Sequence, residues 1–223
     1  MTQEILKFYF REAKDRKNYI IGESNLNAFM WIDKYPNWQS NGLVIEGPRS
    51  SGKSHLVRVW QEKSNCSIFN SKHINQEDVD LQDNKNIAIE NLEKIRNYEF
   101  FLHLINFKKE NKLKYLLTTS TRITSLKIRL NDIKSRLLEL PNVKISLPTD
   151  EILEGLIIKL LKDYGLLVDE KLVKYMINRI ERSYEGVNFF IKELNQASLE
   201  RKKKISIALI KEVLRNRDTN DAK

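Results

Sequence analysis

The sequence predicts an α/β domain, a parallel β-sheet flanked by helices, followed by a small all-α unit. Three observations carry that expectation. Residues 43–56, Leu-Val-Ile-Glu-Gly-Pro-Arg-Ser-Ser-Gly-Lys-Ser-His-Leu, set a G-x-x-x-x-G-K-[ST] pattern between an apolar run and a helix start. Short apolar runs then alternate with helical stretches as far as Pro148. From Thr149 the period changes, and Ile152, Leu153, Leu156, Ile157, Leu160, Leu161 and Tyr164 recur at helical spacing.

Composition limits the alternatives. With 223 residues and 41% hydrophobic content, the chain can build one core of ordinary size and a smaller appended unit. The one cysteine, Cys66, excludes an internal disulfide framework and is expected in the core. No N-terminal apolar run or membrane-length segment is present, so a reducing cytoplasm is the expected location. The net charge of +9 permits contact with nucleic acid or with an acidic protein surface. Basic residues are scattered along helices, apart from residues 201–204, which favours a solvated surface.

In chain order, residues 1–18 are an aromatic-rich end and a charged linker, with Gln3, Leu6, Phe8 and Phe10 close together. They suit either an added strand or a short peptide that fills a partner's apolar pocket. Ser24 or Asn25 is expected to cap a helix through Trp31 and Ile32 that Pro36 ends. Strands follow at residues 43–45, 66–70, 87–90, 115–120 and 143–147, and helices from Leu56, over 96–111 and over 125–139. In the C-terminal unit Thr149 caps a helix ended by Gly165, and further helices are expected over 170–182, 186–201 and 206–215, with a frayed tail beyond Arg217.

The 43–56 pattern has a chemical reason. Gly47 and Gly52 let the backbone turn its N–H groups inward across Pro48, Arg49, Ser50 and Ser51; Lys53 brings a cation to terminal phosphates, and Ser54 offers a hydroxyl to Mg²⁺, with His55 next on the helix. A Gly-Ser-rich strand-to-helix turn with an incidental lysine is the plainer alternative. Glu90, closing an apolar strand, is a candidate to hold the Mg²⁺, and Asn91 follows it. Asparagine cannot act as a general base, which points to slow hydrolysis if any. Thr118, Thr119 and Ser120 close another strand and suit either a γ-phosphate or a turn backbone.

The order of these pieces resembles the AAA+ layout, and more closely the Hda family, relatives of the bacterial replication initiator DnaA. The residues that carry the resemblance are Tyr19-Ile-Ile-Gly-Glu-Ser-Asn ahead of Ala28 and Trp31-Ile-Asp, Pro36-Asn-Trp, Gly-Lys-Ser-His-Leu with Val59-Trp60, Ser135-Arg136-Leu137, and the closing helix pair over 199–214. It implies three parts: a clamp-binding peptide and linker over 1–18, an AAA+ P-loop core over 19–148 and a helical lid over 149–223. It further implies bound ADP or ATP, an arginine finger at Arg136 that acts on a neighbouring subunit's ATP, and a sliding-clamp motif at Gln3, Leu6 and Phe8. The implied partners are DnaA and the DNA polymerase III sliding clamp, with self-association and an association with the nucleoid and replisome as further expectations. The lid arginine of such proteins falls at Asn188, with Arg182 nearby, and the chain stops at Lys223 where DnaA continues into a DNA-binding domain. The expected function is therefore negative regulation of replication initiation. A DNA-binding AAA+ adaptor or loader, and a weak self-sufficient ATPase, are the alternatives.

Overall fold

Alternation along the strands assigns the two faces of the sheet. In a computed structural model, which describes residues 19–75, 84–128 and 130–221, strand β1 (Gly42–Glu46) sends Leu43 and Ile45 to one core and Val44 to another. Strands β2 (Ser67–Asn70), β3 (Ile87–Glu90), β4 (Tyr115–Thr119) and β5 (Asn142–Lys144) pair with it in the order β2-β3-β4-β1-β5, every pairing parallel. Ala88 and Leu116 join the first core; Ile87, Ile89 and Leu117 join the second. Helices α1 (Leu26–Asp33) and α2 (Lys53–Ser64) cover the first face, α3 (Tyr98–Glu110) and α4 (Asn131–Glu139) the second. The first core centres on Trp60, fully buried and stacked on Trp38 with ring centroids 5.4 Å apart.

A separate apolar cluster holds the C-terminal helices together: α5 (Asp150–Asp163), α6 (Glu170–Ile177), α7 (Tyr184–Arg201) and α8 (Ile207–Asp221) bury Leu153, Ile157, Met176, Phe190 and Ile210 among themselves. Thr149 Oγ1 accepts the Ile152 N–H, Gly165 lies just past the end of α5 at φ +71°, and Ser183 Oγ accepts the Gly186 N–H at 2.9 Å to cap α7. This unit touches the sheet domain through Ile152 and Tyr184, both in the first core. The Tyr184 hydroxyl lies 2.9 Å from Ser24 Oγ, a buried hydrogen bond across 160 residues. Tyr184→Phe strands the Ser24 hydroxyl, and thermal denaturation should show a loss of about 1–2 kcal/mol, a Tm lower by a few degrees. An unchanged Tm would show that the hydroxyl pair contributes nothing to seating the helices on the sheet.

Several boundaries differ from expectation, for physical reasons. Asn25 occupies the N-cap of α1, but its side chain turns back, accepting from Gly22 N–H and donating to the Ile20 carbonyl at 2.8 Å, so it braces the preceding loop. Residues 125–139 are not one helix: only Asn131–Glu139 is. The stretch before it is drawn onto the sheet by Ile123 N–H, bonded to Glu46 Oε1 at 2.7 Å, and by burial of Ile123 and Leu126. β5 is shorter than expected because the Ser146 N–H bonds to the Ser24 carbonyl instead of a strand. α6 ends at Ile177, where the chain turns to bury Ile180. α8 continues to Asp221, past the expected fraying point. On α3 the buried face includes Phe101, Ile105 and Lys108, while Phe107 is only half-buried. Cys66 is buried as expected. Among the described residues no helix is long and apolar enough to cross a membrane. Gln3, Leu6 and Phe8 lie outside the described residues.

Candidate functional site

Parallel strands bring their C-terminal ends to one edge, and a strand order that places β1 between β4 and β5 opens a crevice there. The register pairs Glu46 with Thr119 and Asn70 with Glu90 along that edge. The loop from Gly47 to Ser54 leaves β1 at this crevice and enters α2. Its floor is fixed by two contacts. Gly47 N–H donates to the Thr119 carbonyl at 3.1 Å, and the buried Glu46 carboxylate accepts from Ile123 N–H and, at 2.8 Å, from Asn142 Nδ2.

Both glycines of the pattern are required by the geometry. At Gly52 φ is +88°, and a Cβ there would stand 2.8 Å from the Tyr19 ring; at Gly47 a Cβ would stand 2.8 Å from Ile145 Cβ. Ser50 also adopts positive φ, completing the turn. Lys53 lies beneath the loop, 8% exposed, and donates to the Gly47 and Pro48 carbonyls at 2.7 and 2.6 Å. Burial pushes its ammonium below the ordinary lysine value, and the carboxylates of Glu93 and then Glu90 pull it back up. Arg49, Ser50 and Ser54 are exposed, and the Ser51 hydroxyl is buried with no hydrogen-bond partner among the described residues. A buried donor without a partner, a cation behind the loop and the free first-turn N–H groups of α2 are the features that suit a phosphate.

Mg²⁺ also fits. One oxygen of Glu90 is buried with no hydrogen-bond partner among the described residues, and Ser54 offers a solvent-facing hydroxyl beside Lys53. Those two groups with phosphate oxygens and water match how Mg²⁺ is held, and no cluster of three metal-binding side chains, absent among the described residues, is needed. Asn91 follows Glu90 in the left-handed region at φ +62°, its N–H 3.4 Å from Thr118 Oγ1 and its carbonyl bonded to the Ser71 hydroxyl. The Thr119 hydroxyl is engaged by Thr121 through both its own donor and the Thr121 N–H. Of the two readings open for the threonines, these bonds support the turn.

The C-terminal helices match a known family. Residues 159–214 fit the family model for the Hda lid domain. The fold has solved counterparts: domain III of the Thermotoga maritima replication initiation protein DnaA is 14% identical, over 90% of this chain and 95% of that one, with a TM-score of 0.76. AMPPCP-bound DnaA from Aquifex aeolicus is 16% identical over 83% of this chain and 66% of that one, TM-score 0.67. The RuvB Holliday junction branch migration motor of Thermotoga maritima is 14% identical over 87% and 69%, TM-score 0.62.

The C-terminal helices are similar to the Hda lid domain, and the fold as a whole is similar to those of DnaA domain III and RuvB.

The solved structures share its fold, and it spans about two thirds of the length of the longer DnaA chains. No curated protein sequence matches it.

Within these lid-like helices, Asn188 donates its side-chain amide to the Tyr184 carbonyl one turn back, so it serves its own helix. Arg182, just before the α7 cap, pairs with Asp150 at the start of α5. The lid cation whose charge reaches the loop helix is Lys159 of α5, a residue that sequence reasoning did not single out. Burial first, then Lys159 and Arg58, hold the His55 imidazole below its usual value of 6.5. The folded chain therefore resists protonating His55 while the unfolded chain does not, so its contribution is present above pH 6.5 and is lost as pH falls through the lower folded value. His55→Phe keeps the edge contact with Tyr19, now 5.2 Å between ring centroids. The variant should lose less Tm between pH 7.5 and pH 5 than the parent; equal losses would remove His55 as their source.

The structure separates Arg136 from this chain's own loop. It lies in the last turn of α4, half-buried, with its guanidinium 3.1 Å from Asp132 and beside a groove lined by Asn106, Lys109 and Glu110. Its charge is felt at Tyr115, where burial pushes the phenol up to about 12 and Arg136 opposes the rise. Tyr115 begins β4, whereas Thr119, which holds Gly47, ends it, a separation of about 13 Å at strand spacing. Glu93, which binds the Ser120 N–H at 3.1 Å, was also missed in the sequence. The readable signal was a carboxylate three residues after the strand-end acid, one turn on.

Proposed function

We propose that this protein is an Hda-type regulator of replication initiation. It holds ADP, or ATP, with Mg²⁺ at the Gly47–Ser54 loop. It binds the sliding clamp through Gln3, Leu6 and Phe8, and it presents Arg136 to ATP bound by DnaA, stimulating hydrolysis and switching the initiator off. On this reading residues 1–18 are the clamp-binding arm, 19–148 the core and 149–223 the lid, working in the bacterial cytoplasm.

The observation that supports the reading is Arg136 on a chain whose C-terminal helices match the Hda lid: its guanidinium lies away from this chain's own phosphate loop, as a finger that serves another subunit's ATP requires. The AMPPCP in a solved DnaA of the same fold supports an adenine nucleotide as the ligand. The test mixes ATP-loaded DnaA with DNA-loaded clamp and measures phosphate release with and without this protein. Faster release, lost when residues 1–10 are removed, is expected; an unchanged rate with the intact chain overturns the reading. The net charge of +9 favours a second reading, a DNA-binding adaptor or loader. That reading requires tight DNA binding without clamp, steeply weakened by salt and indifferent to Arg136→Ala.

A further inference from the structure

The phosphate site contains two carboxylates, although the residue directly after Glu90 is an amide. The turn that follows β3 explains how. Asn91 takes a left-handed conformation that only a few residue types accept readily, and its N–H and carbonyl are engaged by Thr118 and Ser71. The chain then folds into a single 3₁₀ turn over Leu92–Lys94, with Leu92 buried as its anchor. This turn brings Glu93 back to the sheet edge, where its Oε2 accepts the Ser120 N–H. Ser120 follows Thr119, whose carbonyl holds Gly47. Glu93 is thus linked through one residue of β4 to the first glycine of the loop, and it is half-buried at that edge. Of the carboxylates that act on the Lys53 ammonium, it is the stronger.

We infer that Glu93 supplies the water-activating carboxylate of this chain's own phosphate site, the role that Asn91 cannot fill. The inference rests on the loop binding ATP, as in the proposed function, and it makes the chain a slow ATPase in its own right. In the step, the oxygen of a water attacks the γ-phosphorus and gives one proton to the Glu93 carboxylate. The bond from that phosphorus to the β–γ bridging oxygen breaks, and ADP takes the electron pair. The second proton stays on the released phosphate, and Glu93 returns its proton to solvent. The Ser120 N–H holds one carboxylate oxygen and leaves the other for the water. Glu90 and Ser54 would hold Mg²⁺, which would supply charge to the phosphate oxygens.

Single-turnover hydrolysis of ATP by the full chain, in excess over nucleotide and with Mg²⁺, tests this alongside ATP affinity and Tm. Glu93→Gln keeps an acceptor for the Ser120 N–H, so Tm should stay at the parent's value and ATP affinity within about threefold of it, while the hydrolysis step slows by roughly 10²-fold. Glu93→Asp, a carboxylate on a shorter stem, should recover part of the rate. Three results overturn the inference: no turnover by a parent protein that binds ATP, equal rates in the parent and Glu93→Gln, or a loss of ATP affinity that accounts for the loss of rate. None of these bears on stimulation of DnaA, which depends on Arg136. A parent chain that binds no ATP would take the nucleotide reading of the loop down as well.

Discussion

Arg136→Ala should leave this protein folded and able to bind nucleotide, yet return DnaA in the clamp assay to its unstimulated rate of hydrolysis. The stability side of that expectation follows from exposure. The pair with Asp132 is a surface contact one helical turn apart, worth about 0.3–0.5 kcal/mol. The catalytic side follows from chemistry. A guanidinium is permanently charged and forks onto phosphate oxygens as charge develops on them, and fingers of this kind contribute roughly 10³–10⁵ in rate in other phosphoryl-transfer systems. The stimulation itself sets the ceiling on what can be lost. Arg136→Lys separates charge from geometry, since it keeps the first and loses the fork, and it should recover little. A stimulated rate that survives Arg136→Ala would sink the finger and leave the fold and the lid untouched.

Lys53→Ala should cut nucleotide affinity by about 30- to 150-fold, the worth of a charge-assisted contact of roughly 2–3 kcal/mol. In the folded chain the ammonium is buried beneath the loop and bonded to the Gly47 and Pro48 carbonyls, positions from which it can turn to a phosphate without the backbone moving. The free protein should not unfold. Burial has already weakened this lysine's hold on its proton, so the charge is held at a cost in the fold that alanine removes. The consequence shows in thermal shift: ATP or ADP should raise Tm for the parent and much less for Lys53→Ala at the same ligand concentration. Equal shifts in the two proteins would mean that the nucleotide binds elsewhere.

The path of the Gly47–Ser54 loop was readable in the chain because its geometry is local. Two glycines, a lysine and a serine at set spacing between a strand and a helix specify a backbone path that few other sequences adopt, and the structure finds both glycines required. Glu90 was readable for a similar reason, as a charge at the end of an apolar run. The lid period from Thr149 was readable because side chains three and four apart share a helix face. Where neighbours distant in sequence decided, the reading went astray: residues 125–128 have helical periodicity, but the chain is drawn to the sheet by the bond from Ile123 N–H to the Glu46 carboxylate, and Asn25 caps nothing with its side chain because residues 20–22 claim it.

By itself, then, the sequence determined the α/β core with a helical C-terminal unit, the strand–loop–helix turn over Gly47–Ser54 and the order of the elements, because propensity, period and turn chemistry act within a few residues. Only the tertiary structure decided which charges meet. It brought Glu93 to the end of β4, gave Asn188 to its own helix, and put Arg136 beside Asn106, Lys109 and Glu110 at the end of α3. Those pairings depend on how strands far apart in the chain are ordered in the sheet, and a parallel sheet with crossover helices settles that order through contacts that no local pattern encodes.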